Sequence, residues 1–421
     1  MPAARPTRLH RRAFLGQAAL ATAALAARPP ALQATDARPD SLIASIEKVT
    51  LRVGRTGPGP TWFHPKVCLI PQPAPEPPLA LMTLQSIAGS DYYGPVHSMT
   101  SRDLGRTWTE PRPVPALGRV PHERGAEEAV CDVVPEWHSP SRTVLALGQN
   151  VFYSGPRFSP DQPPRRPVYA VWRDGAWGPR RHLEWKDPRG AAIYSNNCGQ
   201  RVTLPNGDVL LALSHAASLQ EPRAVSAALC SFDGKTLAIR EVGPALQHRH
   251  RRGLLEPSLI RHGDRYWMTL RAEDNRGYVT TSTDGLRWEP QEPWAWDDGE
   301  PLTMSTTQQH WLPHAEGLFL VYTRKDASNV NVPRWRAPLY LAEVDTQRRR
   351  LRRATERIVL PLVGDGVKAP DDVAYSGNFH PVNVTADEAW VTDGEILPKR
   401  GWKGDLLLAR IRWKRPDRRA G

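Results

Sequence analysis

Six short clusters of polar and titratable residues recur along this chain, each at the start of an apolar stretch. They are His64 and Lys66; Glu127, Glu128 and Asp132; Asn196, Asn197, Gln200 and Arg201; Glu256; Gln308, Gln309 and His310; and Asn378 and His380. Each set mixes hydrogen-bond donors, acceptors and groups that can carry protons. Brought together, they would make a pocket suited to a sugar. His64, His310 and His380 hold equivalent places in three clusters. A neutral imidazole exchanges protons near pH 7, so these three are candidate general acid/base groups. Taken singly, each residue also suits a turn cap or a satisfied buried hydrogen bond. Their recurrence in phase argues for a shared site.

Bringing such distant residues together requires a repeated architecture. After each cluster comes an apolar strand, a short turn and a second apolar strand, the second strands including 79–84, 143–147, 209–213, 266–270, 318–322 and 388–391. Pro205-Asn206-Gly207-Asp208 and His262-Gly263-Asp264 have hairpin-turn chemistry. The period, roughly 50–70 residues, is within reach of a four-stranded propeller blade with long loops. Blades set around a channel would start each innermost strand at the centre, so the clusters would converge. A second repeated signal is S-x-D-x-G-x-T-W, the Asp-box. It is complete at Ser101–Trp108, shortened at Ser282–Trp288 and degenerate at Ser231–Thr236. In it Asp accepts backbone N–H bonds, Gly takes the turn conformation and Trp packs beneath, so it holds a hairpin and performs no chemistry.

With its Asp-boxes in phase with a six-fold repeat, the chain resembles the sialidase (neuraminidase) superfamily over most of its length. The resemblance implies an all-β fold, a six-bladed β-propeller with the active site at one end of the central channel. A seven-bladed ring is the alternative. A strand over 405–413 pairing with one over 48–53 would close the ring and remove exposed sheet edges. Glu256-Pro257-Ser258 is similar to the segment that carries the glutamate assisting the family's nucleophile. Arg271, ending the next strand, matches an arginine of the triad that grips the substrate carboxylate, for which a planar guanidinium fork is well shaped. Arg336, with Arg334 as its rival, stands where the third triad arginine is expected. Tyr375-Ser376 is similar to the segment carrying the tyrosine nucleophile, useful on an anionic sugar once a carboxylate draws off the phenol proton.

The match is broken in two places. Phe63-His64-Pro65-Lys66 stands where the family's first triad arginine is expected, leaving Lys66 or Arg201 to supply positive charge. The general acid/base carries no diagnostic motif, and Asp91, Glu128 and Asp132 are its candidates. Asn196 and Gln309 complete the expected substrate contacts. The reading is an exo-acting, sialidase-like glycoside hydrolase for an acidic or unusual sugar. One alternative is a polysaccharide lyase on uronate glycans, in which arginine stabilises the carboxylate while His or Tyr moves protons. Another is a carbohydrate-binding propeller without activity.

The rest of the sequence gives the setting. His10-Arg11-Arg12-Ala13-Phe14-Leu15-Gly16 and the Ala/Leu run after it read as a twin-arginine export signal, residues 1–34. The expected product, 35–421, is a single propeller domain, periplasmic or secreted, without an integral membrane segment. The leader holds five arginines and no acids, so without it the formal charge of +12 falls to +7. The basic residues are scattered, which argues against a nucleic-acid partner. Proline (42) and tryptophan (15) are abundant, and both favour strands and turns over helices. Cys68, Cys131, Cys198 and Cys230 are not spaced as zinc pairs and assign no disulfide. No nucleotide or flavin fingerprint is present, so no cofactor and no metal are expected; the expected partner is a glycan.

Overall fold

Apolar runs such as Val209–Ala216 are buried along their whole length, as strands become when covered on both faces. The computed structural model describes residues 41–159, 162–376 and 378–419; the leader lies outside them. These residues form six antiparallel sheets in chain order. The first is built on Thr61–Ile70, Leu79–Gly89 and Tyr92–Ser101, the second on Glu127–His138, Thr143–Ser154 and Pro167–Arg173. Ile193–Ser195, Val209–Ala216 and Ala224–Phe232 carry the third; Leu255–His262, Arg265–Arg271 and Gly277–Ser282 carry the fourth. His310–His314, Gly317–Tyr322 and Leu339–Asp345 make the fifth.

The sixth sheet joins the two ends of the described chain. His380–Thr385, Glu388–Gly394 and Leu406–Trp413 are followed in the sheet by Ile43–Arg52. Lys48 faces Ala409 and Val49 faces Leu408, which is the closing pair the sequence predicts.

Burial of apolar faces explains the arrangement. Six core layers each draw on two consecutive sheets; one, with Val67, Met82, Trp390 and Leu408, joins the first sheet to the sixth. Such layers, each covering one face of two sheets, are the product of β-propeller packing. Among the described residues no helix is long and apolar enough to cross a membrane, and the four cysteines are buried and unpaired.

The outer turns behave as their sequence requires. Asp103 accepts from the backbone N–H groups of Arg106 (3.0 Å) and Thr107 (2.9 Å) and from the Thr107 hydroxyl (2.6 Å). The Thr107 hydroxyl, then its backbone N–H, hold the carboxyl down to about 2. Gly105 has φ +73°, and a Cβ there would stand 2.8 Å from the Trp390 ring. Asp284 and Asp233 accept from two backbone N–H groups each in the matching turns.

Candidate active site

Five of the six polar clusters contain one non-glycine residue in the left-handed region: His64 (φ 54°), Asp132 (54°), Asn197 (47°), Glu256 (45°) and Asn378 (50°). Asn, Asp and His are the non-glycine residues that visit this conformation most, but Glu does not favour it. At His64, Asp132 and Glu256 the ladder loses register, between Phe63 and Lys66, Cys131 and Val134, and Leu255 and Ser258. Bulges of this kind bend a strand and re-aim a side chain, and strained residues concentrate at functional sites. Asp132, Asn197, Glu256 and Asn378 all line one cavity of about 630 Å³.

On the side of the first, second and sixth sheets the cavity is acidic. Asn378 Nδ2 donates to Asp132 Oδ1 (2.8 Å) and lies 2.5 Å from His64 Nε2, while His64 Nε2 is 3.4 Å from Asp132. Burial pushes His64 down to about 4 despite Asp132, so near pH 7 it is neutral. It therefore adds no positive charge at the cavity edge. Asp91 reaches the cavity from the turn before Tyr92–Ser101. The Tyr93 hydroxyl donates to its Oδ1 (3.2 Å) and the Tyr153 hydroxyl to its carbonyl (2.8 Å).

Opposite in character is the contribution of the fourth and fifth sheets. Arg271 pairs with Glu256 and stands 3.7 Å from Glu273, which also holds Arg252. Arg336, 9% exposed, donates from Nε to the Ser376 carbonyl (2.8 Å). Burial first, then neighbouring Arg334, pushes it down to about 10. Tyr375 is fixed by backbone bonds in both directions with Ile396 (2.8 and 3.0 Å). Its hydroxyl makes no hydrogen bond to a described residue, and burial raises its pKa, offset in part by Arg336. In all, six arginines (165, 223, 252, 271, 334 and 336) and three carboxylates (91, 132 and 256) line the cavity. Its charge suits an anionic ligand.

No family model and no curated protein matches the sequence. Solved structures do match. A Dyadobacter fermentans protein of unknown function superposes with TM-score 0.60 at 14% identity, covering 88% of this chain and 99% of that one. A Trypanosoma rangeli sialidase, in complex with 2,3-difluorosialic acid as a covalent intermediate, gives 0.58 at 14% identity over 87% of this chain. This chain spans 58% of that sialidase's length. The intramolecular trans-sialidase of Ruminococcus gnavus gives 0.53 at 9% identity, covering 82% and 94%. The chain has the sialidase-like β-propeller fold.

Within this sialidase-like propeller, Glu256, Arg271, Arg336 and Tyr375 line one cavity, together with Arg334, Asp91 and Asp132. His64 lies against its edge through Asn378 and Asp132. Other expected site residues are placed elsewhere. Lys66 is fully buried and donates to the Asn378 carbonyl (2.5 Å). Arg201 donates to the Val134 carbonyl and pairs with Glu136 (3.3 Å). Asn196 donates to the Ala212 carbonyl (2.9 Å), and Gln309 accepts from Thr269. His310 Nδ1 meets the Ser258 hydroxyl (3.0 Å), and both ring nitrogens of His380 lack partners among the described residues. Burial drives both histidines well below the ordinary value, so they stay neutral. None of these six lines the cavity. Glu128 lines a neighbouring one, bonded to His182 (2.9 Å) and Arg180 (3.3 Å). Among the described residues no group of three or more His, Cys, Asp or Glu is arranged to hold a metal ion.

Sequence reasoning missed Arg165, Arg223, Arg252 and Tyr93. A signal was present for one of them: Arg165-Arg166-Pro167 repeats the Arg-x-Pro of Arg336-Ala337-Pro338, each just before a third strand.

Proposed function

We propose that this chain is an exported glycoside hydrolase that removes a terminal acidic sugar from a glycan. The observation that carries the reading is the meeting of Glu256, Arg271, Arg336 and Tyr375, contributed by three successive sheets and the loops between them, around one cationic cavity. In this reading the six sheets are the six blades of a closed ring. The paired arginines at its start indicate twin-arginine export, to the periplasm or outside the cell.

Arg271 and Arg336 hold the substrate carboxylate. The Tyr375 oxygen attacks the anomeric carbon as its proton passes to Glu256, and the glycosidic C–O bond breaks as Asp91 protonates the leaving oxygen. Water, deprotonated by Asp91, then displaces Tyr375, which recovers its proton from Glu256, so the sum is one water added across the bond. A phenol suits this role better than a carboxylate, which the substrate's own negative charge would repel. The similar solved sialidases support this assignment by their fold.

Purified protein incubated with a sialoside and a panel of uronate glycans tests the reading. Release of a hydrated acidic sugar, lost in Tyr375→Phe and Glu256→Gln, is the expected result. An unsaturated, ultraviolet-absorbing product would replace hydrolysis by elimination, and tight binding without turnover would leave a lectin.

A further inference from the structure

Arg336 occupies a position that recurs around the ring. It stands in the loop before the third strand of its sheet, and its carbonyl accepts the N–H of Ser376 (2.8 Å) in the segment leading to the next sheet. Arg165 has the same place in the second sheet, its carbonyl accepting from Tyr194 (3.0 Å). Arg223 has it in the third, its carbonyl accepting from Leu254 (2.9 Å). In the fourth the residue is Asn275, accepting from Met304 (3.1 Å). Parallel bridges from Arg165 to Ile193 and from Arg223 to Gly253 fix the two backbones further. Arg165 and Arg223 are therefore held as rigidly as Arg336, and all three line the cavity.

The side chains repeat the likeness. Arg165, like Arg336, is tied through Nε to a carbonyl, that of Asn150 (3.3 Å), and its guanidinium lies 5.7 Å from the Phe158 ring centre. Its two amino groups make no hydrogen bond to a described residue. Arg223 makes no side-chain hydrogen bond among the described residues, and neither arginine has a carboxylate within 4.0 Å there. Burial, then neighbouring Arg165 and Arg252, pushes Arg223 down to about 10. Asp91 and Asp132 act on Arg165, and Glu256 on Arg223, only from beyond pairing distance, and half-buried cations without a direct partner gain from a ligand that completes them.

We infer that Arg165 and Arg223 form a second anion subsite, so that the glycan bound here carries two negative groups. One carboxylate sits at Arg271 and Arg336, and a second anionic group, a carboxylate or a sulfate ester, sits at Arg165 and Arg223. The inference rests on the functional reading above for the first group only.

Titration calorimetry on the full chain with two matched ligand pairs tests it. One pair is digalacturonate and its singly esterified form. The other is a uronate disaccharide with and without a sulfate ester. The expected result is at least tenfold tighter binding of the doubly charged member of one pair, and that pair identifies the second group. Arg165→Gln with Arg223→Gln erases the preference and weakens the singly charged member far less than the doubly charged one. Arg165→Lys with Arg223→Lys retains part of it, and an unchanged thermal midpoint shows that the variants fold. Equal affinity within both pairs, no binding of any probe, or parallel loss of both affinities in the Gln variant would overturn the subsite. A retained two-anion preference in a chain that turns over no glycan would support the subsite while removing the hydrolase reading.

Discussion

Two polar layers lie next to one another on the inner strands, and they do opposite work. Asp132, Asn197, Glu256 and Asn378, all in the left-handed region and two of them at bulges, reach the cavity. Lys66, Asn196 and His380, each within two residues of a left-handed residue, and Arg201, Gln309 and His310 are closed in between sheets. The side-chain period of a strand is two, so at Asp132 and Glu256 the inserted residue decides which neighbour faces the cavity and which is enclosed. Residue type alone does not separate the layers: Asn196 and Asn197 are chemically identical, yet only the second faces the cavity.

Substitutions should separate the two layers cleanly. The largest effect is expected at the cavity wall. Tyr375→Phe should lower kcat/KM on the order of 10⁴-fold or more, and Arg271→Lys on the order of 10²–10³-fold. Both should leave the thermal midpoint nearly unchanged. An equal loss of stability would make these residues structural and break the contrast.

In the buried layer the expected loss is stability. Arg201→Ala leaves Glu136 without its partner and should cost about 3–5 kcal/mol in denaturant unfolding. The same variant should keep wild-type KM in the fraction that is folded. A raised KM with full stability would move Arg201 into the site.

His64 stands at the boundary and gives a smaller, pH-dependent effect. The unfolded chain takes up its proton near 6.5, whereas burial delays protonation in the folded chain to about 4. Between those values the unfolded state binds more protons, so stability falls as pH drops from 6.5 towards 4, by roughly 3 kcal/mol for this group. Asp132 and Asp91 oppose that loss, Lys66 adds to it, and buried His310 and His380 act in the same direction as His64. His64→Asn should flatten part of this acid limb in pH-dependent unfolding; an unchanged limb would show that His64 does not carry it. Smallest is the turn: Asp103→Asn should lower the thermal midpoint slightly, with no change in KM.

Much of the fold was legible. The turn motifs need particular residues at Asp103 and Gly105, and the apolar runs between them need two covered faces. The closing pair could be read because both ends of the ring are apolar strands without another partner. Glu256, Arg271, Arg336 and Tyr375 were legible only through resemblance, since nothing in their spacing makes them meet. The bulges left no trace in the sequence: Glu and His do not signal positive φ as Gly would. Lys66, Arg201, His310 and His380 share their clusters with cavity residues, and their types alone do not tell the enclosed from the exposed. Arg165 and Arg223 escaped because their position recurs in the loops before the third strands, outside the clusters that start the first.

The claim most worth testing is that the cavity is the catalytic centre for an acidic sugar. Mass analysis of products from a sialoside and uronate-glycan panel, run side by side with wild type and Arg271→Lys, addresses it most directly. The expected result is a hydrated acidic sugar released by wild type and strongly reduced in the variant. Equal release by both proteins, or release only of neutral sugars, would contradict it.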